Sequence, residues 1–326
     1  MKNKNTLLGA ALLAGAGLIG LQSAQAAEGL QHVTASAASD YAKTKYPILF
    51  THGMFGFTRV GFDSFGMDYF YQVLPDLARN GANAFAAQVS PLESTEVRGE
   101  QLLSQVEEVR AITGLDKVNL IGHSHGGPTV RYVAAVKPQY VASVTGVAGT
   151  FRGSLVADKI QENKGLNSLF GVLGGQLLGP IITWAEGNSR LPVNMNASLA
   201  SISEKGAAAF NQKFPTAALA SNCSSSGAAL EKGVRYYSWT GTAQTTNLLD
   251  VLDTAISQLA PLAYGNTDND GLVGRCSTHL GQVIRDNYRH NHLDEVNMVF
   301  GLRSIFSPDP VALYRQHANR LRLQGL

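Results

Sequence analysis

The sequence has no marked excess of charge of either sign. Its 26 Lys and Arg residues exceed its 24 Asp and Glu residues by two, and the net charge falls to zero without Lys2 and Lys4. A balanced chain without a basic patch offers nucleic acid no electrostatic binding surface, so we expect no nucleic-acid partner. Any contact with lipid must therefore be apolar.

Long apolar runs are equally scarce, because only residues 7–21 form one. This run follows two lysines and precedes the small-x-small triplet Ala24-Gln25-Ala26. The pattern is typical of a secretory signal peptide, which we assign to residues 1–26, and the run is too short to span a bilayer comfortably. A membrane anchor is the less favoured alternative, so we expect the mature chain to be exported.

Cysteine is rare as well, since the chain contains only Cys223 and Cys276. An exported protein reaches an oxidising compartment, where an even pair of cysteines usually forms a disulfide. A loop of this length would contribute about 4 kcal/mol to stability. Two buried free thiols are the alternative. The chain also has no cysteine or paired-histidine set that would suit zinc.

The part of the chain after the signal contains neither an internal repeat nor a low-complexity tract. Its length of about 300 residues suits one large α/β domain, which we place at residues 27–326. Short apolar runs alternate with helical stripes, which predicts a mostly parallel sheet flanked by helices. The predicted strands are 46–50, 118–121, 141–147 and 234–239, and the predicted helices are 101–112 and 128–136. Ser94 or Thr95 is expected to cap the first helix or a turn just before it.

The sharpest motif is Gly122-His123-Ser124-His125-Gly126, which lies directly between a predicted strand and a predicted helix. G-x-S-x-G in this context is the nucleophile elbow, in which the serine occupies a tight, strained turn and its neighbours must lack Cβ atoms. The turn exposes Ser124 Oγ and places the backbone N–H of His125 where it can stabilise an oxyanion. The alternative is a glycine-rich turn with an incidental serine.

A second oxyanion donor should follow an earlier strand. The predicted strand 46–50 runs into Thr51-His52-Gly53-Met54, where Gly53 allows close approach of the backbone and the N–H of Met54 is the natural donor. An ordinary loop between strand and helix is the alternative.

The catalytic histidine should lie beyond the elbow. In proteins that carry this elbow, the serine, the acid and the histidine follow one another in that order along the chain. The candidates are His279, His290, His292 and His317. Loop placement favours His290 or His292, whereas His317 lies in a basic stretch that resembles a solvated helix. The residues alone leave this choice open.

For the acid, the best loop is Thr267 to Val273, with an aspartate directly before a turn glycine. The same segment resembles the start of an EF-hand loop. That loop requires Asp at its first position and Glu at its twelfth, where this chain has Asn266 and Ser277. The calcium-loop interpretation is therefore weak.

Long segments of the chain carry a family resemblance. They are THGMFGF, STEVRGEQLL, VNLIGHSHGGPTVRYVAAVKP, NDGLVGRCSTHLGQVIRDNYRHNHLDEVN and YRQHANRL. The chain resembles the foldase-dependent extracellular lipases of Pseudomonas and Burkholderia type. The resemblance implies an α/β-hydrolase fold and a triacylglycerol lipase acting on long-chain acylglycerols at an oil–water interface. It also implies passage through the periplasm, a membrane-anchored foldase and a secretion machinery as partners.

The resemblance also implies roles for particular residues. It implies Ser124 as nucleophile, Asp270 as acid and His292 as base, with oxyanion donors at Met54 and His125.

The resemblance implies a Cys223–Cys276 disulfide and one structural Ca²⁺. The ion's ligands would be the carboxylates of Asp250 and Asp294 and the carbonyls of Met298 and Leu302. The chain departs from some relatives at Met298, where they have Gln, but a carbonyl ligand survives this change. It departs again at Gly149-Thr150-Phe151, where relatives often have a Pro-His pair.

A lid is expected over residues 156–184. Within it, Leu166 to Trp184 has an apolar helical face that is interrupted by four glycines. A weak helix of this kind can cover an apolar cleft in water and move away at an oil surface. A poorly packed core helix is the alternative.

Two rival functions remain open at this point. A short-chain carboxylesterase or transacylase would share the same core and triad. A non-catalytic binding protein on a hydrolase fold would be expected to lose the serine, the histidine or an oxyanion glycine, and this chain retains all of them.

Overall fold

The computed structural model describes residues 29–62, 65–163, 191–223 and 226–326. The predicted signal peptide at 1–26 and the predicted lid helix from Leu166 to Trp184 lie outside the described residues. Within the described part, no helix is long and apolar enough to cross a membrane.

An eight-stranded sheet forms the centre of the fold. The strands of the described chain are β1 Gln31–Val33, β2 Ile48–Thr51, β3 Arg59–Phe62, β4 Phe65–Asp68, β5 Ala84–Ala87, β6 Val118–His123, β7 Val141–Val147, β8 Leu230–Glu231, β9 Val234–Gly241 and β10 Gln282–Tyr288. The order in the sheet is β1-β5-β2-β6-β7-β9-β10, with β8 beside β9. Only β1 and β8 pair antiparallel in it, and β3 and β4 form a separate hairpin.

Helices cover both faces of this sheet. In the described chain they are α1 Val73–Arg79, α2 Thr95–Thr113, α3 Gly126–Val136, α4 Leu155–Glu162, α5 Met195–Ile202, α6 Glu204–Lys213, α7 Val251–Tyr264 and α8 Pro310–Leu323. Alternate residues of β2 serve two cores: Leu49 packs with residues of α2 and α3, whereas Ile48 and Phe50 pack with residues of α1 and α8. The period of two along a strand explains this division. The predicted α/β class with a mostly parallel sheet is confirmed.

The structure extends or corrects several predicted elements. Helix α2 begins at Thr95, and the side chain of Ser94 caps it by accepting from the N–H of Val97. Strands β5 and β10 were missed, because β5 is a short alanine-rich segment and β10 is a half-exposed edge strand with charged residues. The expectation for His317 was wrong: it is buried, and its Nε2 lies 2.8 Å from Thr145 Oγ1.

A disulfide joins Cys223 to Cys276. It connects the segment before β8 to the short turn Arg275–Thr278 that precedes β10.

Candidate active site

Ser124 lies in the turn between β6 and α3, in a left-handed backbone conformation with φ of 56°. A Cβ atom on Gly122 would overlap the carbonyl oxygen of Gly126, and one on Gly126 would overlap that of Thr51. Neither position therefore admits a side chain. The backbone also holds the turn, since Ser124 N–H donates to the carbonyl of Val147 at 3.0 Å.

The loop after β2 packs directly against this turn. A Cβ atom on Gly53 would lie 2.7 Å from Ser124 Cβ, so the loop approaches the serine as closely as glycine permits. Among the hydrogen bonds of the described residues, the backbone N–H groups of Met54 and His125 have no acceptor. Both groups thus remain available to an oxygen at Ser124.

Arg98 of α2 holds the loop after β2 from beneath, and sequence reasoning missed it. Its side chain is fully buried, and it donates to the carbonyl oxygens of His52, at 2.6 Å, and Ser90. Burial lowers its pKa to about 9, so the guanidinium stays charged at neutral pH. The signal in the sequence was that Arg98 lies inside the STEVRGEQLL segment, which carries part of the family resemblance. A buried arginine must satisfy its donors, and here the donors bind backbone carbonyls.

Asp270 and His292 form a buried pair. Asp270 Oδ2 lies 2.8 Å from His292 Nδ1, and Oδ1 accepts from the N–H groups of Leu272 and Val273 at 3.0 and 2.7 Å. The backbone N–H of His292 also donates to the Asp270 carbonyl, at 2.9 Å. Because the carboxylate can only accept, Nδ1 carries the ring proton and Nε2 is left free to accept one.

The other three candidate histidines are committed elsewhere. His279 Nε2 lies 3.0 Å from Asp286 Oδ2, and His290 Nε2 lies 2.7 Å from the carbonyl oxygen of Pro308. His317 Nε2 lies 2.8 Å from Thr145 Oγ1 of β7. None of them lines the cavity that contains Ser124, whereas His292 does.

This cavity is almost entirely apolar apart from Ser124, His292 and a few hydroxyl groups. Residues of α4, α5 and α7 contribute to it together with the loop after β2. Its apolar lining consists of Met54, Phe55, Phe57, Val156, Ala157, Ile160, Leu199, Ile202, Leu252, Ile256, Leu259, Leu272, Val273, Leu293 and Met298. An apolar chain can therefore extend from the serine without leaving apolar surroundings.

A cluster of buried carboxylates lies behind His292. Asp250, Asp253 and Asp294 are each at most 2% exposed, and in the described chain none of them pairs with Lys or Arg. Burial, together with the charges of Asp253 and Asp250, raises the pKa of Asp294 to about 7. Carboxylates left without a cationic partner fit a divalent cation, and their hard oxygen donors suit calcium.

The carboxylates alone do not complete a metal site. Among the described residues, no group of three or more His, Cys, Asp or Glu side chains is arranged to hold a metal. Asp253 is occupied, since its Oδ2 accepts from the N–H groups of Thr246 and Asn247. A cation would thus need backbone carbonyls besides Asp250 and Asp294, as in the predicted set with Met298 and Leu302.

Taken with the parallel sheet, a strained serine at a strand–helix turn defines the α/β-hydrolase class of serine hydrolases. A sequence profile described as "alpha/beta hydrolase fold" matches residues 46–248, and the chain belongs to this family.

More particularly, the chain belongs to the triacylglycerol lipase family. It is 50% identical to a triacylglycerol lipase of Vibrio cholerae over 88% of this chain and 90% of that protein. It is 40% identical to those of Burkholderia plantarii, over 90% of each, and Pseudomonas fragi, over 88% of this chain and 99% of that protein. The predicted family and enzyme class are confirmed.

Solved structures share the fold at lower sequence identity. Staphylococcus hyicus lipase matches with a TM-score of 0.57 at 19% identity, over 86% of this chain and 97% of that one. The mature Bacillus licheniformis lipase BlEst2 matches with a TM-score of 0.57 at 17% identity, over 83% and 94%. At these identities the likeness concerns the fold alone.

Proposed function

We propose that this protein hydrolyses the esters of long-chain acylglycerols, with Ser124 as nucleophile, His292 as base and Asp270 as acid. The observation that carries the proposal is the hydrogen-bonded Asp270–His292 pair, whose histidine shares an apolar cavity with the strained serine. The names of the 40–50% identical relatives support the same substrate class.

In the proposed first step, His292 Nε2 takes the proton of Ser124 Oγ as that oxygen attacks the ester carbonyl. The N–H groups of Met54 and His125 stabilise the resulting oxyanion, usually the largest single contribution to such catalysis. The tetrahedral intermediate then collapses, the C–O bond breaks, and the protonated His292 gives its proton to the departing glycerol oxygen.

The proposed second step releases the fatty acid. Water attacks the acyl-enzyme and His292 accepts its proton, after which the same oxyanion donors act again. The proton then returns to Ser124 Oγ as the acid leaves. The apolar cavity holds the acyl chain and keeps it out of water throughout both steps.

Replacing the nucleophile tests the proposal. Ser124→Ala should abolish turnover of a long-chain p-nitrophenyl ester, because it removes the oxygen that is proposed to form the acyl-enzyme. Ser104→Ala, an exposed position on α2, is the matched control and should retain full activity. Wild-type rates in Ser124→Ala would refute the assignment, and an inactive wild-type protein would favour the binding-protein alternative.

The short-chain esterase alternative needs a different measurement. Rates with one ester below and above its solubility limit separate the two functions. A lipase should accelerate when a separate oil phase appears, whereas an esterase should saturate before it.

Calcium forms a second part of the proposal. Asp250 and Asp294 would supply carboxylates and Met298 and Leu302 carbonyls, which are hard donors of the kind that Ca²⁺ prefers. When bound, the ion would supply positive charge to neutralise the buried carboxylates. Asp294 follows His292 by two residues, so this site would hold the histidine loop and would not touch the substrate.

Export is the third part. Residues 1–26 would act as a signal peptide, a membrane-anchored foldase would assist folding in the periplasm, and the secretion machinery would release the mature lipase. N-terminal sequencing of protein from the culture medium tests this directly, since the expected start lies near Ala27. A start at Met1 would contradict it.

A further inference from the structure

A chain of hydrogen bonds runs beneath the site through Tyr69 and His123, two buried residues that the proposed chemistry does not use. The N–H of Gly53 donates to the Tyr69 hydroxyl at 3.0 Å, and this hydroxyl lies 2.7 Å from His123 Nδ1. At the other side of the ring, His123 Nε2 lies 2.9 Å from the carbonyl oxygen of His292. Tyr69 and His123 thus connect two loops that flank the serine.

Each hydrogen bond in this chain has only one possible direction. The His292 carbonyl can only accept, so His123 Nε2 must carry the ring proton. Nδ1 is then an acceptor and takes the Tyr69 O–H, while the hydroxyl oxygen accepts from Gly53. Burial and the nearby His292 lower the pKa of His123 well below its usual value, which keeps the ring neutral. Every member is satisfied in a single tautomer, and such chains strengthen cooperatively.

The two ends of the chain belong to the two halves of the site. Gly53 directly precedes Met54, and its backbone packs against Ser124. The His292 carbonyl belongs to the residue proposed as base, and the His123 ring lies against the His292 ring with centroids 4.5 Å apart. Asp270 orients the imidazole of His292, whereas His123 bonds to its backbone, so the two contacts are complementary.

We propose that Tyr69 and His123 are positioning residues. They fix the distance and orientation between the loop after β2, which contains Met54, and the loop that contains His292, on either side of Ser124. This inference rests on the proposed function, because it assigns the two loops their roles from it. It also assigns a role to His123, the first variable residue of the G-x-S-x-G motif. A displacement of about 1 Å at a reacting group can cost on the order of 100-fold in rate, so this link should matter to turnover.

Kinetics on a soluble ester, p-nitrophenyl butyrate, test the proposal. Tyr69→Phe removes only the hydroxyl, and His123→Phe removes both ring contacts. Each should lower kcat by roughly tenfold or more while KM stays nearly unchanged, because misplacement affects the transition state more than binding. His123→Gln, whose amide can still donate to the His292 carbonyl, should recover part of the loss. Tyr71→Phe, two residues away, is the control and should match wild type.

A double variant tests whether the chain of hydrogen bonds acts as one unit. Tyr69→Phe combined with His123→Phe should be about as slow as the slower single variant, since residues in one network are not additive. A loss equal to the product of the two single losses would overturn the proposal, as would wild-type kcat in Tyr69→Phe. A loss that merely follows a lower folded fraction, measured by melting under assay conditions, would also overturn it.

The tautomer provides a readout that is independent of activity. In ¹⁵N-histidine NMR, the His123 signals, assigned by their loss in His123→Gln, should show a neutral ring protonated at Nε2. Protonation at Nδ1 would overturn the proposal even if the enzyme were active. A wild-type protein with the expected tautomer but without turnover would instead refute the proposed function, so the two failures are distinguishable.

Discussion

At the scale of single residues, Ser124 shows how strain is maintained where chemistry needs it. A left-handed conformation costs a non-glycine residue about 1–2 kcal/mol. The turn persists because Ser124 N–H bonds to Val147 and Gly127 N–H bonds to the Ser124 carbonyl, so the strand and the helix both hold it. The conformation that places Ser124 at the cavity wall is therefore a property of the sheet and α3 together.

The two oxygens of Asp270 have different partners: Oδ1 accepts from the backbone of its own turn, and Oδ2 pairs with His292. A substitution can separate these two contacts. In Asp270→Asn the amide can present its oxygen either to the Leu272 and Val273 N–H groups or to His292, but not to both. If the amide oxygen keeps accepting from Leu272 and Val273, the NH₂ group faces His292 Nδ1. Nδ1 must then accept, so the ring proton moves to Nε2, where it blocks that nitrogen from acting as the base. We expect kcat to fall by about 10⁴-fold, as the same substitution does in the Ser-His-Asp triad of chymotrypsin-like proteases.

The measurement is kcat on a soluble ester beside the melting temperature. Asp268→Asn is the matched control, since Asp268 lies on the same loop but is exposed and pairs with Arg275. An Asp270→Asn enzyme within tenfold of wild type would contradict the role assigned to the acid.

At the scale of elements, α2 supports the site through a side chain that never reaches the cavity. Arg98 extends from α2 to the loop after β2 and satisfies the carbonyls of His52 and Ser90. With no carboxylate partner in the described chain, its charge also lies unneutralised beneath the proposed oxyanion donors. The helix thus contributes both geometry and electrostatic potential.

Arg98→Met should therefore damage activity and stability together. Loss of the buried donors should lower kcat by about 10–100-fold and the free energy of unfolding by about 2 kcal/mol. Arg110→Met, near the exposed end of the same helix, is the control, because its guanidinium lies over the Tyr140 ring and not near the site. A fully active Arg98→Met enzyme would show that the loop needs no support from α2.

At the scale of the whole molecule, the carboxylate cluster is where distant segments meet. Asp250 caps α7, with Oδ1 accepting from the Leu252 N–H at 2.8 Å, and Asp294 belongs to the turn after His292. Asn291 lies between Asp294 and Asp253: its backbone N–H donates to Asp294 Oδ2 at 3.3 Å, and its side-chain amide donates to Asp253 Oδ1. A cation here would join the start of α7 to the histidine loop.

Chelation is the direct test of the proposed calcium site. Removing the ion should lower the melting temperature by about 5 °C and lower activity in parallel, since ligand binding stabilises only the folded chain. Asp250→Asn keeps the helix cap but loses the charge, so this variant should no longer respond to chelator. Asp309→Asn, a similar cap on α8, should respond as wild type does. Unchanged melting and activity after chelation would refute the site.

Prediction from sequence succeeded where a local pattern carries its own physical reason. The elbow could be found because two glycines are sterically obligatory, and β7 was predicted to the residue because residues 141–147 form an uncharged, valine-rich run. Sequence reasoning missed β10, a polar edge strand, and it misjudged α8, whose basic residues concealed a buried face. For β10 the deciding contact is its pairing with β9, which is distant in the chain. The buried face of α8 does follow a helical period, at Tyr314, His317, Ala318 and Leu321, but only Tyr314 and Leu321 among them are large apolar-bodied side chains, so the arginines around them dominate the pattern.

The sequence alone thus determined the α/β class, the serine elbow and the candidate histidines, because these depend on periodicity and on the absence of a Cβ atom. Only the tertiary structure decided which histidine lines the cavity with Ser124, since His279, His290 and His317 find partners from other elements. It alone also placed Arg98 under the loop after β2 and aligned Tyr69, His123 and His292. Hydrogen-bond direction and burial depend on neighbours that the fold brings together from distant parts of the chain.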